Sequence, residues 1–161
     1  MKRRAVVRAV GATLSAALAG CAGGTEAPDP TVTAEFTQRA GLSATVATVE
    51  IGADRQVTYT AESYQNDETD TSESRLSTKQ YEQLVSLVQR AQPHGWQESY
   101  TECESICPAD GASYTLTLTV DQTEYTTNYY GPAEKPVDLT RVTEFLLQLL
   151  VERREDSATT G

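Results

Sequence analysis

The stretch from Tyr114 to Tyr129 constrains this chain more than any other. Tyr114, Leu116, Leu118 and Val120 alternate with Thr115, Thr117 and Thr119. Asp121 and Gln122 follow, and Tyr125, Thr127 and Tyr129 then share one face of a returning segment. A period of two sends successive side chains to opposite faces of a strand. The two-residue break fits a tight hairpin turn, although it lacks the usual Gly. One face of this hairpin must be covered and the other wetted. Thr suits a wet sheet face because it is a good strand former; a flat ligand-binding array is the alternative reading of the same row.

The rest of the chain supplies the cover. Residues 32–39 lean towards strand and are punctuated by Ala40 and Gly41. Residues 45–51 place Ala47, Val49 and Ile51 on one face, Gly52-Ala53-Asp54 turns, and residues 56–63 set Val57, Tyr59 and Ala61 against Thr58, Thr60 and Glu62. That pattern predicts an antiparallel hairpin. Tyr64 to Ser74 is polar and acidic and reads as a solvated loop. It lacks the Gly turn and terminal Glu of an EF-hand, which leaves weak calcium binding as its minor alternative. Ser77 to Gln80 has the form of a capping box. Tyr81, Leu84, Val85, Val88 and Ala91 recur at helical spacing behind it, and Pro93 and Gly95 stop the helix.

A second helix opens near Asp138, the expected cap, and carries Leu139, Val142, Phe145, Leu146, Leu149 and Leu150 on one stripe. The order βββ-α-ββ-α predicts one α+β domain over residues 32–152. Its antiparallel sheet has about five strands, with two helices packed on one face. Residues 153–161 are expected to fray.

Charge narrows the function classes. The 161 residues carry 13 Lys and Arg against 23 Asp and Glu, a formal net charge of −10. An anionic surface repels phosphate, so nucleic acid is not an expected partner. No apolar run is long enough for a spanning helix. The single His, His94, sits between Pro93 and Gly95 and reads as a loop residue. No catalytic set can be assembled around it, and neither an enzyme, a metal nor a cofactor is expected.

Residues 1–21, MKRRAVVRAVGATLSAALAGC, have a basic start, a mildly apolar stretch and small residues before a Cys. That is the layout of an export signal, with residues 1–20 as signal peptide. Leu18-Ala19-Gly20-Cys21 resembles the lipobox of lipoproteins. The resemblance implies cleavage before Cys21 and a diacylglyceryl group on its sulfur. Arg3 and Arg4, followed by Ala5, Val6, Val7 and Arg8, are similar to a twin-arginine signal, although Val6 and Val7 stand where Phe and Leu are commoner. A general export signal with an ordinary basic start is the alternative.

Cleavage removes Lys2, Arg3, Arg4 and Arg8 and leaves only Lys79 and Lys135 as lysines, with a net charge of about −14. An acid-rich, Lys-poor chain behind such a start resembles the exported lipoproteins of haloarchaea; an acidic surface protein of a mesophile is the alternative. Residues 21–31 then form a lipid-bearing, flexible tether rich in Gly and Pro. The implied location is the extracytoplasmic face of the cell membrane, with the lipid on Cys21 as the membrane contact. One acyl group holds weakly, so a second lipid or another contact is expected.

With Cys21 committed to lipid, Cys103 and Cys107 remain. An even pair outside the cytoplasm suggests a disulfide across a short loop. A redox-active pair, or a metal shared with His94, Glu102 and Glu104, are the alternatives. The stiffened connection 94–108 also carries Trp96, Tyr100 and Ile106. These are residue types that anchor interfaces, and they are the expected partner contacts; Trp96 plugging the end of the core is the other reading.

Three segments are similar to the emfourin-type inhibitor domain of thermolysin-like metalloproteases. Phe36 to Ala44 (FTQRAGLSA) resembles its first strand and turn, with Ala40 in place of a Gly and Leu42 in place of a Phe. Leu76-Ser77 through Leu87 resembles its first helix, and Asp110 to Tyr114 the opening of its second hairpin. The likeness spans about residues 33–151, and the acidic loop and the Cys103–Cys107 insert depart from it. It implies an extracellular protein partner such as a protease. The expected function is a membrane-anchored lipoprotein carrying a small non-catalytic binding domain, an inhibitor-like module among the forms this could take. A structural or accessory envelope lipoprotein without a dedicated ligand is the alternative.

Overall fold

The structure, a computed structural model, describes residues 30–40, 45–103, 108 and 111–159. Its elements run β1 (Val32–Arg39), β2 (Thr45–Ile51), β3 (Gln56–Ser63), β4 (Glu68–Arg75), α1 (Thr78–Ala91), a 3-10 turn (Pro93–Gly95), β5 (Ser99–Tyr100), β6 (Ser113–Val120), β7 (Thr123–Tyr130) and α2 (Val137–Thr159). The strands form one sheet in the order β4-β3-β2-β1-β6-β7-β5. The fold is therefore α+β, as expected. The sheet is larger than the expected five strands, and it is mixed: β5 pairs parallel with β7, and every other neighbour is antiparallel.

The period-two residues sort onto two faces by register. Phe36 stands opposite Val49 and Leu116, Ala34 opposite Ile51 and Leu118, and Val49 opposite Tyr59. These residues join Leu84, Val85 and Val88 of α1 and Leu139, Val142, Leu146 and Leu149 of α2 in one core. Both helices thus cover the same face of the sheet. A fully buried Leu or Phe of this kind contributes about 1.5–3 kcal/mol.

Among the described residues, neither helix packs on the other face. One row runs straight across it, through Thr71, Thr60, Thr48, Thr37, Thr115 and Asn128, on six neighbouring strands. Neighbouring hydroxyls meet: Thr37 Oγ1 and Thr48 Oγ1 are 3.1 Å apart, and Thr115 Oγ1 donates to Asn128 Oδ1 at 2.8 Å. The adjacent row places Glu35 directly opposite Glu50. Val46 is the apolar exception on this side, and it is buried.

α1 starts as its sequence dictates. The Ser77 hydroxyl accepts from Gln80 N, and the Gln80 side chain accepts from Ser77 N, which closes the capping box. The helix ends on Gln92, which takes the left-handed conformation usually left to Gly, with Pro93 next. The hairpin turn of β6 and β7 is left-handed at both Asp121 and Gln122, with φ of 47° and 72°. This is the twist-matched form that favours Gly. Asp121 is held there from outside, since its carboxylate accepts from Thr31 N at 3.0 Å and its own N–H donates to Thr31 O at 3.1 Å.

Three expectations are corrected. Residues 64–74 are not a solvated loop. Tyr64–Asp67 turn, and Glu68–Arg75 pair with β3 at eight positions. With polar residues on both faces, the segment lacks the contrast that marks a strand, and its backbone pairing forms it instead. Asp138 does not cap α2, which begins one residue earlier at Val137; it lies in the first turn and pairs with Arg141 at 3.5 Å. α2 also runs on to Thr159, so the tail expected to fray from residue 153 is helical as far as that residue. Its residues are mostly helix formers with no Gly or Pro before the end. Among the described residues no helix is long and apolar enough to cross a membrane.

Candidate functional site

A cavity of about 800 Å³ lies at the β7 edge of the sheet. One wall comes from Gln97, Ser99, Tyr100 and Glu102, and the other from Glu134, Lys135 and Pro136. The two segments are distant in sequence and are joined by backbone bonds. Asn128 N donates to Glu98 O at 2.9 Å, and Glu134 N donates to Glu102 O at 3.1 Å. Thr127, buried under the first wall, donates its hydroxyl to Gln97 O at 2.9 Å. The Tyr100 hydroxyl accepts from Gln97 N at 2.8 Å and fixes the ring against its own segment.

Lys135 sits where the cavity meets the core. A stack of rings crosses three strands beneath it: Phe36 to Tyr114 at 5.7 Å between centroids, and Tyr114 to Tyr129 at 4.9 Å. The Lys135 ammonium lies 5.2 Å above the Tyr129 ring, a cation–π contact, and donates to Gly131 O at 3.0 Å. Burial lowers its pKa below the ordinary lysine value, while Glu144 on α2 draws it back up. The ammonium is thereby a fixed strut of the loop. Glu102 is an exposed carboxylate of the cleft lining. This arrangement suits recognition of hydrogen-bond donors and cations.

Tyr129 is almost wholly buried, and burial raises its phenol well above the usual tyrosine range. Thr143 lies beside it but donates its own hydroxyl to Thr140 O at 2.9 Å, and Tyr129 Oη makes no hydrogen bond of good geometry.

The expected contact residues divide. Tyr100 lines the cleft. Trp96, like Tyr100, is half-buried and packs against the core, and it is not among the cleft's lining residues. Ile106, Cys107, Cys21, Arg3 and Arg4 lie outside the described residues, as do Gly41 to Ala44 of the inhibitor-like turn. Cys103, adjacent to the cleft residue Glu102, is disulfide-bonded. His94 is exposed in the 3-10 turn. Among the described residues, no group of three His, Cys, Asp or Glu stands close enough to hold a metal. Sequence reasoning missed Glu134, Lys135 and Pro136, because nothing local places them beside Tyr100; the basic residue between two turn-forming segments was the only signal.

Fold and cleft together define an α+β protein with a seven-stranded mixed sheet, two helices on one face and a polar cleft at one edge. The family described as Domain of unknown function (DUF6438) matches residues 43–150, well over half of the chain, and the chain belongs to that family. The match begins just before β2 and ends within α2, leaving the central strand β1 outside it. None of the curated proteins compared with the chain matches it.

Proposed function

We propose that the chain is a membrane-anchored extracytoplasmic lipoprotein whose folded part is a non-catalytic binding module, with the cleft beside Tyr100 as its contact site. One observation carries the reading. The segment that follows Cys21 enters the sheet at Val32, and the antiparallel register places Arg39, Ser113 and Tyr130 together at the far end of those strands. Tyr100 pairs with Tyr129 at that same far end. Seven residue steps of strand separate the two ends by about 23 Å. A lipid on Cys21 therefore anchors one end of the sheet and presents the cleft, with the disulfide-bonded Cys103, at the other.

The partner this geometry fits is a protein, engaged by an aromatic ring in a stiffened wall with the exposed Glu102 beside it. The likeness to the emfourin-type domain makes a secreted metalloprotease the first partner to try. The test is photo-crosslinking from Tyr100 in the native membrane, together with intact mass of the membrane form. A lipid adduct on Cys21 and a defined crosslinked protein are expected. A lipidated chain that crosslinks to nothing from Tyr100 makes it a structural envelope lipoprotein instead, and an unlipidated chain removes the anchor.

A further inference from the structure

Arg55, Arg75 and Lys79 gather at the end of the sheet where the chain enters β1. Arg55 closes the turn between β2 and β3, Arg75 ends β4, and Lys79 lies in the first turn of α1. Described bonds tie these segments together. Arg75 Nη2 donates to Asp54 O at 2.9 Å, Leu76 N donates to Arg55 O at 2.9 Å, and Arg55 Nη1 donates to Thr78 Oγ1. Tyr81, in the same helix as Lys79, holds Val32 by both of its backbone groups. The other cations with described side chains stand elsewhere. Arg39 is at the far end of β1, Arg90 in the last turn of α1, and Lys135 and Arg141 flank the start of α2.

Among the described residues no carboxylate lies within ion-pair distance of Arg55, Arg75 or Lys79. Acids do share this end. The Asp54 and Asp121 carboxylates each accept from a backbone N–H, of Gln56 and of Thr31, and Glu82 lies further along α1. Arg55 also has a φ of 72°, in the left-handed region where Gly is usual. A Gly would fit that turn more easily but would carry no charge. Arg75 and Lys79 are exposed. In a chain with 13 basic residues against 23 acidic ones, an unneutralised basic cluster is the exception, and it suits an anion. Each guanidinium carries five N–H groups in a planar fork that matches a phosphate, and the contacts above use only part of each fork.

We propose that Arg55, Arg75 and Lys79 form a second membrane contact, which binds the phosphates of anionic lipid headgroups. This contact presupposes the lipid anchor on Cys21. The chain from Cys21 to Thr31, about ten residues, reaches at most about 35 Å. The Val32 end of the sheet therefore stays near the bilayer, with the cleft at the other end. A lipid and a basic patch together are the two signals that stable anchoring takes. Long-range attraction fades as salt is raised, and contact between an Arg fork and a phosphate is what remains.

The test is flotation of the whole chain with vesicles of phosphatidylcholine, alone or with about 30% phosphatidylglycerol, in about 0.1 M salt. A variant carrying Arg55→Gln, Arg75→Gln and Lys79→Gln should bind the anionic vesicles at least about tenfold more weakly than the parent. A control carrying Arg39→Gln, Arg90→Gln and Arg141→Gln changes the net charge equally and should lose far less. The segment before Cys21 is the same in all of these chains, so the difference belongs to the cluster. Circular dichroism checks folding. Lys79→Gln alone, at an exposed side chain, should weaken binding about fivefold, and Arg55→Lys with Arg75→Lys should keep most of it. Inorganic phosphate at about 10 mM should not displace the chain. Equal losses in the two triple variants, equal binding to both kinds of vesicle, or displacement by free phosphate overturns the proposal. Intact mass reads the lipid on Cys21 separately. A lipidated chain whose triple variants bind alike loses the patch and keeps the anchor, whereas an unlipidated chain that shows the difference keeps the patch and loses the anchor.

Discussion

Tyr81 of α1 holds the first residue of the central strand by both of its backbone polar groups: its Oη donates to Val32 O at 2.8 Å and accepts from Val32 N at 3.2 Å. Val32 is fully buried, so neither group has water as a substitute. Beside this latch, Thr31 exchanges bonds with Asp121. The point where the chain enters the sheet is therefore fastened twice, to a helix and to a hairpin turn. Tyr81→Phe keeps the ring and removes the hydroxyl. It should lower stability by about 1–3 kcal/mol, the cost of stranding buried backbone groups. Urea unfolding measures this, and a loss under about 0.5 kcal/mol would falsify the latch.

Gly111 packs against Tyr130 so closely that a Cβ there would lie 1.9 Å from Tyr130 Oη and 2.2 Å from its Cζ. Gly111→Ala must displace that ring, which is part of the β7 end that supports the cleft. A destabilisation of about 1–3 kcal/mol is expected. Tyr130→Ala should absorb the added methyl, so the double variant should be more stable than the two single losses summed. Simple additivity in a double-mutant cycle would show that the contact does not limit the site.

Tyr129 gives the domain an alkaline limit. Its folded pKa is raised above the ordinary 10.0, chiefly by burial. Below pH 10 the phenol is protonated in both states and contributes no pH dependence. Above it, the unfolded chain loses the proton while the folded one keeps it, so stability falls as pH rises. Tyr129→Phe should flatten this fall between about pH 10 and pH 11. At neutral pH it should cost nothing or stabilise slightly, because the buried hydroxyl lacks a well-placed partner. Denaturation midpoints across that range decide it; identical slopes in the two proteins would rule the group out.

Salt should stabilise the domain, and Glu35 facing Glu50 gives the effect a specific source. The two exposed carboxylates are cross-strand neighbours, and no ion pair relieves either among the described residues. Their repulsion is screened by added ions, and excluded salts strengthen core burial in the same direction. The melting temperature should be higher in about 2 M KCl than in about 0.1 M KCl, with the gain shrinking near pH 4 as carboxylates protonate. Glu50→Thr should reduce the gain. A melting temperature that is unchanged or lower at high salt removes the halophilic reading.

Most of the secondary structure was legible because it is written in local contrast. Leu116 and Leu118 between threonines, the Ser77–Gln80 box and the stripe from Leu84 to Ala91 each specify an element and its buried face without reference to the rest of the chain. β4 was not legible because Glu68 to Arg75 is polar on both faces, and its pairing with β3 rests on backbone bonds that any side chain permits. The last turns of α2 were missed because the apolar stripe stops at Leu150, while helix-forming residues continue the backbone past it.

What the sequence alone determined was the α+β class and the buried faces of β2, β3, β6 and both helices. The tertiary structure decided the rest. It set β1 between β2 and β6, joining residues some eighty positions apart, and thereby fixed which strand ends lie together. It brought Tyr100 and Glu102 to Glu134 and Lys135, and so made the cleft. Local patterns fix which side of an element faces the core, because burial is a property of each residue. Which elements become neighbours depends on how all the buried faces close against one another, and that is settled only when the whole sheet and both helices pack.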